Sequence, residues 1–422
     1  MSVRPRVLVL SQTVPFPPDG GAWIRTYNLL RALARRFELT ILCFERAIAA
    51  SDGFAFNEGA SLRALSQLGH AEIFPIPQRH SRLRFLADHA RSLLRGRVFT
   101  QYLYESGAFR ERLRQLVAEG GYDLVHVDSL DLSAYLPLLQ GLPVACTHHN
   151  VESALLRRRA RADASAAVRA YAAHQARLME ATERAWCPRV ALNIAVSEDD
   201  AAALARLAPA ARFTIVPNGV DTHFFQPGPD PEGEGLVFVG GANWFPNRDA
   251  LEYFCRDILP LLRRNRPDLR VTWVGAASED DRRSFLAQHR VELTGYVDDI
   301  RPRVRDAACF IAPLRVGGGS RLKILDAWAL GKAVVSTSVG CEGLAAQHGR
   351  NILVADDPAA FAAAVERVLV DRTLRRELGR AARALVERVY AWDVVGAGLV
   401  DAYEALLARS PRPARARATA GG

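Results

Sequence analysis

Lysine is nearly missing from this 422-residue chain: of 55 basic residues only Lys323 and Lys332 are lysines, and both fall in one short segment. Arginine is a planar fork and lysine a compact point charge, so a lysine kept against such a bias marks a place where the fork does not fit. Cysteine pairs are missing too. Cys43, Cys146, Cys187, Cys255, Cys309 and Cys341 are scattered with no C-x-x-C among them, which excludes a zinc knuckle and a thioredoxin-like motif and leaves reduced core thiols. No apolar run is long enough to cross a bilayer. The first residues offer only Arg4 and Arg6 before the short run Val7 to Leu10, too little for an export signal, so a cytoplasmic location is expected.

What is present is ordinary globular material, enough for two or three domains at about 100–200 residues each. The net charge of +9 favours anionic partners. Nucleic acid is not among those expected, because no recognised binding module accompanies the charge. Arg6 to Leu10, Glu38 to Phe44, Ala71 to Ile76, Leu124 to Val127, Val144 to Thr147, Asn193 to Val196 and Phe213 to Val216 are short continuous apolar runs separated by helical periodicity. Continuous rather than alternating strands imply a parallel sheet covered on both faces. A linker is expected at Pro217 to Gly235, where proline and glycine interrupt both element types, and a second βαβ series starts at Leu236. The expected fold is therefore α/β, two doubly wound Rossmann-like domains, at 1–217 and 218–388, facing across a cleft. A C-terminal helix at 389–409 and a disordered basic tail at 410–422 complete the division.

The long stretches Arg82 to Val117 and Ser153 to Trp186 read as Arg-rich helices. Leu83, Leu86, Ala90, Leu93 and Leu94 recur at helical spacing, with Arg84, Arg91 and Arg95 on another side. The ordinary reading puts those leucines in the core and the arginines in water. The other reading lays a basic amphipathic face on anionic lipid.

The most informative segment runs from Pro313 to Thr337. A strand, the turn Gly317-Gly318-Gly319-Ser320 and a helix follow one another. Such a turn is either a flexible connection or a pyrophosphate cradle, whose amides and helix N-terminus favour an anion. Arg321 and Lys323 sit in the first helical turn, where cations oppose the helix dipole unless an anion offsets them. Asp326 lies one turn deeper and could accept ribose hydroxyls or simply face solvent. His148 and His149 end the Val144 to Thr147 strand and point to different sides, so one of them is expected to face the cleft. Glu152 reads as a helix cap ahead of an acceptor-facing group, Glu342 as a turn residue or sugar contact, and Trp244 as core or a stacking platform.

Taken together these segments resemble glycosyltransferase family 4, of the GT-B fold, and bacterial sugar transferases of exopolysaccharide or capsule assembly. The carriers are Pro15-Phe-Pro-Pro-Asp-Gly-Gly with Arg25; His149-Asn-Val-Glu-Ser; Val216-Pro-Asn-Gly-Val-Asp; Phe238-Val-Gly with Pro246-Asn247; Thr294-Gly-Tyr-Val-Asp-Asp; and Gly317 to Thr337. The resemblance implies that Gly20 and Gly21 meet the donor phosphates, that Arg321 and Lys323 clamp the diphosphate, and that Asp326 binds the ribose. It likewise assigns Gly240 and the glycine turn through Ser320 to the donor, Gly295, Tyr296 and Val297 to the base, and His149 to the transferred sugar. Eight residues before Asp326 the family has a glutamate that contacts the sugar; here Gly318 stands there.

The implied activity is retaining transfer of a hexosyl group from a nucleotide-diphosphate sugar to a glycan or lipid-linked acceptor. No cofactor is expected. No metal is expected either, since the aspartate pairs Asp199-Asp200 and Asp298-Asp299 are adjacent rather than spaced as D-x-D. Two alternatives stand beside it: a sugar-nucleotide 2-epimerase of the same fold, and a catalytically silent nucleotide-sugar-binding subunit.

Overall fold

The computed structural model describes residues 4–46, 57–162, 165–231, 233–317 and 321–409. The chain divides into two compact units, Met1–Pro217 with Val395–Gly422, and Asn218–Val394. The tail expected at 410–422 lies outside the described residues, as do Gly318, Gly319 and Ser320.

The first unit is built on seven strands: β1 (Arg6–Ser11), β2 (Glu38–Phe44), β3 (Gly69–Phe74), β4 (Leu124–Val127), β5 (Val144–Thr147), β6 (Leu192–Ala195) and β7 (Phe213–Ile215). They lie in the order β3-β2-β1-β4-β5-β6-β7, every pair parallel. The order reverses between β1 and β4. That is where open parallel sheets leave a crevice beyond their strand ends. One core packs Leu8, Leu10, Leu42 and Phe44 against Phe109 and Tyr135, with Phe44 and Phe109 stacked at 4.6 Å. The Gly21–Ala34 helix buries Leu29, Leu30 and Leu33, a stripe at helical spacing. The terminal Trp392–Arg409 helix returns to this unit: Gly396 lies against Ala32, and Tyr403 sits 6.1 Å from Phe37 and bonds His126.

The second unit repeats the order with β8 (Leu236–Val239), β9 (Val271–Val274), β10 (Val291–Leu293), β11 (Cys309–Ala312), β12 (Val334–Ser336) and β13 (Leu353–Val354). The sheet runs β10-β9-β8-β11-β12-β13, again all parallel. Its reversal lies between β8 and β11. All six cysteines are buried and unpaired.

The segment expected as a linker belongs from Asn218 on to the second unit: the Arg375 guanidinium grips Asp230 at 2.9 and 3.1 Å, Arg305 donates to Gln226 O at 2.7 Å, and Arg383 donates to Phe225 O at 2.6 Å. Proline and glycine exclude helix and strand here, but side chains of the second unit hold the segment to it.

The stretch 82–117 is three helices rather than one, Arg82–Arg95, Phe99–Leu103 and Gly107–Glu119, because Gly96 takes φ 63° and Ser106 caps anew. The first is turned inside out relative to the ordinary reading. Asp88 and Ser92 are fully buried while Leu83, Leu86, Leu93 and Leu94 face solvent. The inward side is a polar lattice: Asp88 accepts from Gln78 at 2.7 Å, Arg84 at 2.9 Å and Arg91 at 2.8 Å. Ser92 accepts from Gln175 at 2.9 Å and donates to Arg97 O at 2.7 Å. Each exposed leucine forgoes about 1.5–3 kcal/mol of burial. The stretch Ser153 to Trp186 is likewise two helices, Glu152–Ala162 and Ala166–Trp186.

Candidate active site

In the second unit three neighbouring strands, one of them at the reversal, end in glycines. Gly240, Gly275 and Gly295 follow β8, β9 and β10 with φ of 152°, 141° and 76°. They are packed backbone to backbone: a side chain on Gly275 would meet Gly241 N at 2.6 Å, and Gly275 N donates to Gly295 O at 3.2 Å. Above this floor stands Lys323, whose Nζ donates to Asn247 Oδ1 at 2.7 Å and lies 4.1 Å over the Phe238 ring. A Cβ on Gly240 would come within 2.7 Å of that Nζ. A side chain at Gly240 would therefore displace the ammonium or the Asn247 amide from this position.

Burial, with Arg321 nearby, pushes the Lys323 ammonium down to about 7. Arg321 is buried; its Nε and Nη2 donate to Val339 O at 3.3 and 3.1 Å, and Glu342 lies 3.9 Å away. Gly317, with φ 137°, makes room for this guanidinium, since a Cβ there would sit 2.9 Å from Nη1. Asp326, on the same Leu322–Ala329 helix, forms no hydrogen bond or ion pair through its carboxylate among the described residues, and burial lifts it to about 7. Tyr296 is exposed, Val297 packs on the core, and Trp244 and Phe245 stand in solvent beside Asn247. Trp244 is thus not a core residue.

The other lysine belongs elsewhere. Lys332 is buried and donates to Ala307 O at 2.9 Å and to Arg305 O, closing the end of the Arg301–Arg305 helix. A compact cation fits both places.

In the first unit, Gly20 and Gly21 open the Gly21–Ala34 helix, whose first turn has no side-chain cap. Arg46 fixes the turn before them by donating to Asp19 at 2.8 Å and stacking 3.7 Å over Trp23. His149 Nε2 lies 3.3 Å from Asp128 Oδ1. Asp128 follows β4 and takes hydrogen bonds from Ser11 Oγ, at the end of β1, at 3.0 Å and from Thr26 Oγ1 at 3.1 Å. Burial opposes its ionisation, but His149 and His126 more than offset this and hold the carboxyl well below the usual range. His148 turns the other way: its Nε2 pairs with Asn193 Oδ1 at 2.9 Å, and burial pushes it down to about 4. Glu152 begins the next helix and accepts from Asn150 at 3.1 Å rather than capping backbone; burial and Asp131 lift it to about 7.

Two family models match the chain in turn, Glycosyltransferase Family 4 over residues 19–224 and Glycosyl transferases group 1 over residues 233–371. The chain belongs to glycosyltransferase family 4. This family 4 chain is 32% identical over 135 residues to a 44.6 kDa protein in the cps region of Klebsiella pneumoniae, across 30% of the chain and 35% of that protein. It is 26% identical to a D-inositol 3-phosphate glycosyltransferase of Paenarthrobacter aurescens, across 46% of the chain and 51% of the relative. The matches thus span about half or less of these relatives. Among solved structures, sucrose-phosphate synthase from Thermosynechococcus elongatus aligns with a TM-score of 0.70 at 18% identity, over 96% of this chain and 100% of that one. Anabaena HepE in complex with UDP aligns at 0.66 and 15%, over 95% and 100%. The fold of this family 4 chain is GT-B.

The structure brings together Gly240, Arg321, Lys323 and Gly317 in one unit and joins His149 to Asp128 in the other. Asn247, Asp128, Ser11 and Thr26 were not among the expected site residues. Asp128 carried a readable signal, an aspartate directly after an apolar strand, but only the sheet order puts that strand beside β1.

Proposed function

We propose that this chain transfers a hexosyl group, with retention of configuration, from a nucleotide-diphosphate sugar to a hydroxyl of a glycan or lipid-linked acceptor in cell-envelope polysaccharide synthesis. The observation that carries the reading is Lys323: a half-buried ammonium over a glycine floor, one turn from an unpartnered carboxylate and beside a buried arginine. Such a site lacks only an anion with hydroxyls attached. When the bond from the anomeric carbon to the β-phosphate oxygen breaks, charge develops on the leaving diphosphate, and Lys323 and Arg321 stabilise it. Asp326 accepts from the ribose. These groups supply the positive charge themselves, so the reading assigns no metal and no cofactor. HepE has been solved with UDP-glucose, and a 28% identical Mycobacterium tuberculosis relative is GDP-mannose-dependent; both support a nucleotide-sugar donor without choosing the base. The cps-region relative supports the polysaccharide setting. The reading places the protein in the cytoplasm.

A thermal-shift screen of UDP-, GDP-, ADP- and dTDP-sugars tests it. The matching donor at a hundred times its dissociation constant stabilises by about 2.7 kcal/mol, and NMR of the product shows a retained anomeric centre. If no nucleotide sugar stabilises the protein, the reading fails. Epimerised sugar without any acceptor would instead favour the epimerase.

Donor affinity also depends on pH with a calculable sign. The donor needs Lys323 protonated and Asp326 ionised, and both groups titrate near 7 in the empty protein. Below 7 Asp326 takes a proton; above 7 Lys323 loses one. Affinity is therefore expected to peak near neutrality and to fall by up to about tenfold per pH unit on each side. Calorimetry with an intact nucleotide sugar, whose pyrophosphate diester does not titrate here, measures this. Asp326→Asn removes the acid limb alone. A flat profile would contradict the assignment.

A further inference from the structure

We infer that the outward face of the Arg82–Arg95 helix docks on an anionic lipid bilayer. Leu83, Leu86, Leu93 and Leu94 are 81%, 63%, 54% and 85% exposed. At the helical period they share one arc with Ala87 and Ala90, both exposed. The opposite side of the helix packs on the first unit, with Phe85 half-exposed at 4.6 Å from His89. His89 stacks on Phe99 at 3.9 Å and bonds Tyr171 at 2.6 Å, while Asp88 and Ser92 anchor the polar lattice beneath. The leucines therefore point outward because the inward positions are held by other groups.

Charge identifies the occupant. From Pro77 to Arg97 the only carboxylate is Asp88, and it is buried against Arg84 and Arg91. Arg82 opens the helix beside the leucine arc, and Arg95 and Arg97 stand at its far end, all three exposed. Cations at both ends of an apolar stripe match a lipid interface, with leucines entering the acyl boundary and arginines reaching phosphates. A second copy seated on the same face would bring like charges together. No described helix is long and apolar enough to cross a membrane, so the contact lies in the interface plane. The inference does not depend on the proposed reaction, and donor binding can be measured whether or not lipid binds.

Co-sedimentation of the full chain with phosphatidylcholine vesicles, with and without phosphatidylglycerol, tests it. Binding to the anionic vesicles is expected to exceed binding to the neutral ones by about tenfold or more and to weaken with salt. Replacing Leu83, Leu86, Leu93 and Leu94 by glutamine is expected to cost about tenfold or more, with the melting temperature unchanged. Should that variant misfold, Leu94→Cys carrying an environment-sensitive dye serves instead, because the six native cysteines are buried. Its emission is expected to shift to the blue on anionic vesicles. The inference is overturned if the wild-type protein stays in the supernatant, if the glutamine variant binds equally, or if the dye does not shift. It is also overturned if the leucines prove instead to hold a concentration-dependent dimer together.

Discussion

Lys323→Met is expected to lower turnover by about 10²–10³ while leaving the protein more stable, not less. The two effects share one cause. Burial holds the Lys323 ammonium down to about 7, so the folded protein binds that proton more weakly than the unfolded chain does. The resulting penalty appears as pH falls below the unfolded value of about 10.4 and is complete below 7. Methionine fills similar space without a charge. Its gain in melting temperature should be largest at neutral and acid pH and vanish in strong alkali, a trend that calorimetry across pH resolves. Lys323→Arg should not restore activity, because the Gly240 backbone and Asn247 leave room for a point and not a fork. Wild-type turnover in either variant would remove Lys323 from the mechanism, and a lower melting temperature for Lys323→Met would show it to be structural.

The strands were legible because a sheet covered on both faces leaves uninterrupted apolar runs, and Leu124 to Val127 or Val271 to Val274 admit little else. The Leu322–Ala329 helix was legible because a helical period follows the glycines, and its first-turn cation drew notice because it is an electrostatic error unless a ligand corrects it, which is the reading proposed above. Periodicity failed at Arg82–Arg95. A stripe of leucines reports that a helix has an apolar side, and only the partners of Asp88 and Ser92 decide which side faces inward. It failed as well to separate Lys323 from Lys332, whose difference is three-dimensional. Arg25 entered through resemblance alone. In the structure it is a buried guanidinium, pushed down to about 10 by that burial, donating to Val216 O at 2.7 Å and Pro217 O at 2.8 Å, where the first unit ends.

Asp128→Asn is expected to lower kcat by about 10²–10⁴ with a much smaller effect on donor affinity, since Arg321 and Lys323, the cations assigned to the diphosphate, belong to the other unit. On the proposed reading Asp128 positions His149. Its carboxylate accepts from Ser11 and Thr26 and faces His126 and His149. An amide of the same shape presents a donor to hydroxyls that already donate, and it removes the negative charge beside His149. Leaving such buried groups unpaired costs about 1–3 kcal/mol. The pH dependence separates this role from plain packing. Because the folded carboxyl titrates well below its unfolded value, its contribution is present above about pH 4 and is lost as the pH falls further. The wild-type protein should therefore lose stability more steeply than the asparagine variant below pH 4. Equal acid limbs in the two proteins would show that Asp128 is not held ionised by its neighbours. An unchanged kcat would mean that His149 needs no carboxylate to orient it.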